Sequence, residues 1–350
     1  MNGIRDPKNI NGFWGEKTAT IDWCEVNYEV THYIAEFWNT VSNLVMILFP
    51  LYGIYWSYTH SRLTSHHNIR FRIPGTIILC YLGLILVGVG SWMFHMTLIY
   101  KYQLLDELPM VFGSGLLIYA NYDLILTTKQ LLLKRSSNSL AQRFLEQRSL
   151  ILFLIVAYCL SFTYVYLFVW KDPIFHEIIY ALMVFLIMFQ NIWLIRNLKL
   201  SKRLYLTSLI YYLFGFFLWN VDNRMCAYLR EYRSSVERFF GIDNNSADSA
   251  RAIALNVLAV SLKSVTELHA MWHIFTGYAA YMTILFLKEA HYERCLLETN
   301  STSMRVTRSA ASAASKRPVD AKLNKLYYHL TSLNEFKSGT KQSTTTKKSK

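Results

Sequence analysis

Charge is what this 350-residue chain has least of. Asp, Glu, Lys and Arg together make up 17% of it, against about a quarter in ordinary soluble domains. Long apolar stretches alternate with short charged ones, and polar residues gather after about residue 298, which argues against a water-soluble globular fold. Cysteine is also sparse: Cys24, Cys80, Cys159, Cys226 and Cys295 form no CxxC pair, so a thiolate metal finger is excluded. Residues 1–32 contain no apolar run, so no cleavable signal peptide is expected. No basic repeat interleaved with aromatics accompanies the net charge of +13, and thirteen of the 36 Lys and Arg lie after Leu287. A nucleic-acid partner is therefore not expected; the charge reads as topology-setting loops plus a basic tail. The third apolar run has no DRY-like end and the seventh no NPxxY, so a rhodopsin-like receptor is not expected either.

What the chain has in abundance is apolar surface, 53% of its residues with 15% aromatic. Seven apolar stretches, 33–58, 75–98, 109–132, 149–170, 174–195, 204–226 and 264–287, approach or exceed the roughly 20 residues that a helix needs to cross a bilayer. Lipid offers backbone polar groups no partner, so all seven are expected to be helical. The fold class is thus an all-α integral membrane protein, a seven-transmembrane helix bundle. Loops 59–74, 127–148 and 196–203 carry 3, 5 and 4 Lys/Arg, whereas 99–108 and 171–173 carry one each. The positive-inside rule then predicts a lumenal N-terminus and a cytosolic C-terminus. Three regions follow: a lumenal N-terminal segment with an acidic motif (1–32), the seven-helix catalytic domain (33–287), and a basic, largely disordered cytosolic tail (288–350) with a short surface helix possible over 318–336. The sequon at Asn244-Asn245-Ser246 falls in a loop expected to be lumenal, whereas Asn300-Ser301-Thr302 falls on the cytosolic side. Cys24 and Cys226 share the lumenal side, where a disulfide is permitted though spacing alone does not require it. The terminal Lys347-Lys348-Ser349-Lys350 resembles a dilysine retrieval signal, which would bind a retrieval coat.

Ionisable groups inside a membrane are costly and mark function. His269 and His273 in HAMWH stand at i and i+4, so they share a helix face. Two imidazoles so placed either grip one metal, as in HExxH helices, or make interhelical hydrogen bonds. His95, in GSWMFH at the lumenal end of the second stretch, lies at the same depth. Three histidines make a zinc site with an open fourth position, the catalytic arrangement. Ser91, four residues before His95, shares its face, and Asp106 in QLLDELPM lies where the chain enters the third stretch. A carboxylate there can take a proton from a zinc-activated water, and a hydroxyl can stabilise an oxyanion; helix packing for Ser91 and a solvated cap for Asp106 and Glu107 are the plainer alternatives. In TIDWCEVNYEVTHYIAEFWNT, Asp22, Glu25, Asn27 and Glu36 offer hard oxygen ligands suited to Ca²⁺, or form a solvated acidic loop, which Glu36 inside an apolar run strains. Trp219, Asn220, Asp222, His176 and Glu177 read mainly as structural pairs between spans.

TIDWCEVNY (20–28), IAEFWNTVSN (34–43), GSWMFHMTL (90–98), QLLDELPM (103–110), PIFH (173–176), WNVDN (219–223) and HAMWHIFTG (269–277) occur in that order, and together they resemble the alkaline ceramidase family, whose superfamily includes adiponectin receptors. The dilysine end resembles fungal members. The resemblance implies an intramembrane amidase hydrolysing ceramide, with dihydro- or phytoceramide favoured, to a sphingoid base and a fatty acid, a reaction that microscopic reversibility lets run backward, in the endoplasmic reticulum or Golgi. It implies that His95, His269 and His273 bind catalytic zinc and that Ser91 and Asp106 form the catalytic pair. It implies a calcium site of Asp22, Trp23 (through its carbonyl), Glu25, Asn27 and Glu36, and a Cys24–Cys226 disulfide. A non-enzymatic zinc-containing receptor of the adiponectin-receptor type is the alternative, disfavoured by the acidic motif before the first span. A zinc or proton transporter would need a polar path through the bundle, and the cytosolic halves of the spans are almost wholly apolar.

Overall fold

The computed structural model describes residues 12–64, 73–133, 147–198, 200–240 and 250–309. The chain divides into two units, Met1–Glu298 and Thr299–Lys350; of the second, 299–309 is described and is helical. Nine helices are described: α1 Phe37–Ser42, α2 Leu44–Thr64, α3 Gly75–Thr97, α4 Tyr100–Leu133, α5 Arg148–Phe168, α6 Pro173–Asn197, α7 Lys202–Phe240, α8 Ala250–Ser264 and α9 Leu268–Ser309. Seven stretches are long and apolar enough to cross a membrane, α1 and α2 together supplying the first, and α8 supplying none. The sequons, the 318–336 segment and the dilysine end lie outside the residues whose side chains are described.

Two apolar clusters hold the bundle. Tyr81, Leu84, Leu124, Leu194, Ile284 and Phe286 belong to one, joining α3, α4, α6 and α9. Val111, Cys159, Phe162, Tyr166 and Met183 make the other, joining α4, α5 and α6. Large apolar side chains also face outward, Phe153, Tyr164 and Phe168 on α5 and Phe216 and Phe217 on α7 among them. Such a surface would be a liability in water and suits hydrocarbon.

Three helices are longer than their apolar runs. The third begins at Tyr100, so Asp106 and Glu107 lie inside α4 rather than at its entry. The charges at 101–107 read as a loop, but Gln103 and Glu107 are buried and hydrogen-bonded. The helix α7 passes a kink at Met225 (φ −113°, ψ 18°) and continues to Phe240. The apolar run stops at that kink, and the polar turns beyond are held by Arg233. Its guanidinium donates to the carbonyls of Cys24 (2.9 Å) and Thr266 (2.7 Å) and pairs with Glu267 at 2.9 Å. The seventh helix begins at Leu268 and continues past 287 to Ser309.

The N-terminal segment is strapped across one end of the bundle. The last carbonyls of α3 have no partners within their own helix. His95 O and Met96 O accept from the backbone N–H of Glu36 and Ala35, both at 3.0 Å, and Leu98 O accepts from Thr18 and Ala19 at 3.2 and 3.0 Å. The strap therefore completes α3 and sets Glu36 beside His95. A disulfide joins Cys24 to Cys226, with Cα atoms 5.3 Å apart across 202 residues of sequence.

Candidate functional site

The helix α3 brings His95 and α9 brings His269 and His273 to the end covered by the strap. All three are buried, and a nitrogen of each lies within 4.8 Å of the others. Among the described residues this is the one such group of metal-capable side chains.

The hydrogen bonds decide which nitrogens face one another. His95 Nδ1 lies 2.5 Å from Glu36 Oε2, so with the carboxylate accepting, the proton sits on Nδ1 and Nε2 keeps its lone pair. Ser42 Oγ donates to the carbonyl of Asn39 at 2.9 Å and therefore accepts from His273 Nδ1 at 2.8 Å. His273 Nε2 is freed in the same way. His95 Nε2, His273 Nε2 and His269 Nδ1 are buried and find no partner among the described residues. Three neutral imidazoles with converging lone pairs are a borderline-soft donor set that fits a zinc ion and leaves a tetrahedral position open. Other buried polar atoms also lack partners among the described residues, but these three belong to side chains that meet closely enough to hold a metal ion.

Two further contacts orient His269. The Trp23 indole stacks on its ring, with centroids 3.7 Å apart and planes at 18°. Asp222 lies beside the His269 backbone N–H at the start of α9 and accepts from the Cys24 N–H at 3.3 Å. The carboxylate thus holds the strap beside the positive end of α9.

The acidic motif forms a second cluster. Glu25 caps α1 from a distance, its two oxygens accepting from Trp38 N at 2.7 Å and Asn39 N at 2.8 Å. Burial, then the charge of Glu36, pushes the Glu25 carboxyl up to about 8. Asn27 donates to Asp22 at 3.3 Å, while its Oδ1 is buried and finds no partner among the described residues. Lys17 pairs with Asp22 at 2.6 Å. Asp22, Glu25, Glu36 and the orphaned Asn27 oxygen are hard oxygen donors of the kind calcium takes, but unlike the three histidines they do not meet as one metal-capable group. The Trp23 amide donates to Glu36 at 3.3 Å. Glu36 therefore touches both clusters, which sequence spacing did not reveal.

A cavity opens from the histidines into the bundle. Ser91, Asp106 and His273 line one end, and Cys80, Ala280 and Ile284 line the other. The Ser91 hydroxyl faces the Asp106 carboxylate. From His273 to Ile284 the helix rises by roughly 16 Å at 1.5 Å per residue, and most of the lining along the way is apolar. Sequence reasoning missed Ser42, which meets His273 across 231 residues and carried no local signal. It read Trp23 as a backbone ligand and gave no role to the ring. Of the residues read as structural, His176 Nε2 lies 2.9 Å from the Glu107 carbonyl, and Asn220 bonds within its own helix to Phe216 O.

The profile of the family described as Ceramidase matches residues 15–245. Alkaline ceramidase 3 of Mus musculus is 38% identical over 276 residues, covering 79% of this chain and 85% of its own. The alkaline ceramidase YPC1 of Saccharomyces cerevisiae is 31% identical over 290 residues, 80% of this chain and 79% of its own. A putative alkaline ceramidase of Dictyostelium discoideum is 30% identical over 298 residues, 79% and 88% of the two chains.

Proposed function

Because this chain belongs to the ceramidase family, hydrolases of the ceramide amide bond, we propose that His95, His269 and His273 hold the zinc ion on which its hydrolysis depends. The observation that carries the reading is the set of three buried imidazole nitrogens, two of them freed by proton placement on the opposite ring atom. A zinc ion at that point supplies Lewis acidity, polarising the amide carbonyl and lowering the pKa of water toward about 7.

The chain's own groups do the rest. The Asp106 carboxylate takes a proton from the attacking water and returns it to the nitrogen of the departing sphingoid amine. The Ser91 hydroxyl donates to the carbonyl oxygen as charge develops on it, a contribution of about 3 kcal/mol for a well-placed donor. The apolar walls below, Met46, Leu84, Val87 and Leu117 among them, take a hydrocarbon chain and exclude water from it. Asp106→Asn keeps the shape and removes the base. Turnover is expected to fall by about 10²–10⁴-fold with zinc content unchanged, read by single-substrate kinetics and metal analysis on purified protein. Undiminished turnover in that variant would sink the assignment of Asp106.

Asp22, the Trp23 carbonyl, Glu25, Asn27 and Glu36 hold a calcium ion that neutralises the carboxylate cluster and locks the strap. Chelating calcium is expected to lower Tm by about 5 °C or more, equivalent to about 2 kcal/mol, in a thermal-shift assay. Asn27→Ala should shrink that difference, and an unchanged Tm on chelation would remove calcium from the site. The N-terminus and strap are lumenal and the C-terminus cytosolic, a reading supported by the loop charges and by a disulfide, which persists in an oxidising compartment. The enzyme resides in the endoplasmic reticulum or Golgi membrane, with its dilysine end read by a retrieval coat. Dihydro- or phytoceramide is its substrate, and the same site runs in reverse when free fatty acid and sphingoid base accumulate. A panel of ceramides differing at the sphingoid C4 position, with and without a zinc chelator, tests substrate choice and metal dependence together.

A further inference from the structure

The helices α3 and α4 come close together beside the Ser91–Asp106 pair, and neither residue makes the approach. A methyl group built on Gly90 would lie 2.0 Å from the Leu105 carbonyl oxygen, 2.6 Å from its carbon and 3.1 Å from the Asp106 backbone nitrogen. These are backbone atoms, which cannot swing aside as the end of a side chain could. Gly90 precedes Ser91 and Leu105 precedes Asp106, so the contact point is one residue from both members of the pair.

The carbonyl that enters the gap is an unusual one. In a regular helix Leu105 O would accept from the N–H four residues on. Residue 109 is proline, inside α4, and it has no N–H to give. Its ring also crowds the carbonyl four residues back and tilts it away from the helix axis. A carbonyl that lacks its usual helical donor in a membrane needs another partner, and the Cα–H of a facing glycine is a weak one. Gly90 and Pro109 thus act on the same oxygen from two helices.

A second grip sets the rotation of α4. Glu107 accepts from Tyr166 Oη at 2.6 Å and from Gln103 Nε2 at 3.0 Å, and Gln103 is tied to Thr20 in the strap. The peptide between Leu105 and Glu107 carries Asp106 and is held on both sides.

We propose that Gly90 and Pro109 are positioning residues, which set the Leu105 carbonyl into α3 and thereby aim the Asp106 carboxylate at the reacting centre beside Ser91. This rests on the reading of Asp106 as proton acceptor. The function of the pair is geometric: it fixes the α3–α4 separation at the one level where a displacement of about 1 Å costs on the order of 100-fold in rate.

The test is a double-mutant cycle on full-length, zinc-loaded protein in lipid nanodiscs, with kcat, KM, zinc content and Tm measured for each variant. Gly90→Ala is expected to lower kcat about 100-fold, to leave KM within about threefold, and to retain one zinc per chain. In the Asp106→Asn background the same change should cost less than about threefold, because a carboxylate already removed cannot be misaimed. Wild-type kcat in Gly90→Ala, or a full multiplicative loss on top of Asp106→Asn, overturns the proposal. Should Gly90→Ala not fold, Pro109→Ala decides: it gives Leu105 O a helical donor, and a kcat loss of about tenfold that vanishes in the Asp106→Asn background supports the proposal, whereas unchanged kcat overturns it. Undiminished turnover of Asp106→Asn alone would sink the acid–base reading instead, so the two failures are distinct.

Discussion

Ceramide turnover in His269→Ala is expected to fall by on the order of a thousandfold or more, with bound zinc dropping below one per chain. A Lewis acid contributes several kcal/mol of transition-state stabilisation, and each 1.36 kcal/mol is a factor of ten. His269 is the informative one of the three. Its unpartnered nitrogen is Nδ1 where those of the others are Nε2, and it is the ring that Trp23 covers. Asp222 beside its backbone N–H is untouched by the substitution, so the start of α9 is kept and the protein should still insert. Metal analysis separates loss of the ion from loss of the fold, and the Tm of the variant should no longer respond to added zinc. Full turnover with a full complement of zinc would end the three-histidine reading.

The second large effect is expected from Glu36→Ala, because that carboxylate serves both clusters. It accepts from His95 Nδ1 at 2.5 Å, from Trp23 N at 3.3 Å and from Asn39 Nδ2 at 3.1 Å. Truncation orphans three buried donors, each costing about 1–3 kcal/mol, so Tm should fall by roughly 10 °C or more. Loss of the group that orients His95 should weaken zinc binding by about 10–100-fold, and the calcium-dependent rise in Tm should disappear. Glu36→Gln separates the roles. The amide oxygen can still accept from His95, so zinc affinity should stay within about tenfold, while the lost charge should abolish the calcium effect. A metal competition titration with a thermal-shift assay at varied calcium reads both. If Glu36→Ala binds zinc as tightly as the parent, the link between the clusters is wrong.

Some residues were legible before any coordinates and some were not, for identifiable reasons. His269 and His273 stand four apart on an apolar run, and helical periodicity alone puts them on one face. Membrane depth could be estimated for His95 because it ends an apolar stretch. The extent of α4 was hidden, because Lys101, Asp106 and Glu107 read as loop charges although Glu107 is buried against Tyr166 and Gln103. The continuation of α7 to Phe240 was hidden likewise, because Arg233 looks like a surface charge until its partners Cys24 and Thr266, 209 and 33 residues away, are known. Gly90 carried no signal at all, since its role is the space it leaves for another helix.

By itself the sequence determined the number and nature of the spans, since a chain this apolar and this poor in charge has no other way to satisfy its backbone in lipid. It also determined which chemistry was available, because histidine, aspartate and serine were placed at helical spacing near span ends. Only the tertiary structure decided which ring nitrogens converge and that one carboxylate joins two clusters. It also decided that the carbonyl four residues before a proline meets a glycine beside Ser91 and Asp106. Those facts depend on contacts between helices far apart in sequence, and no local periodicity encodes the distance between two of them.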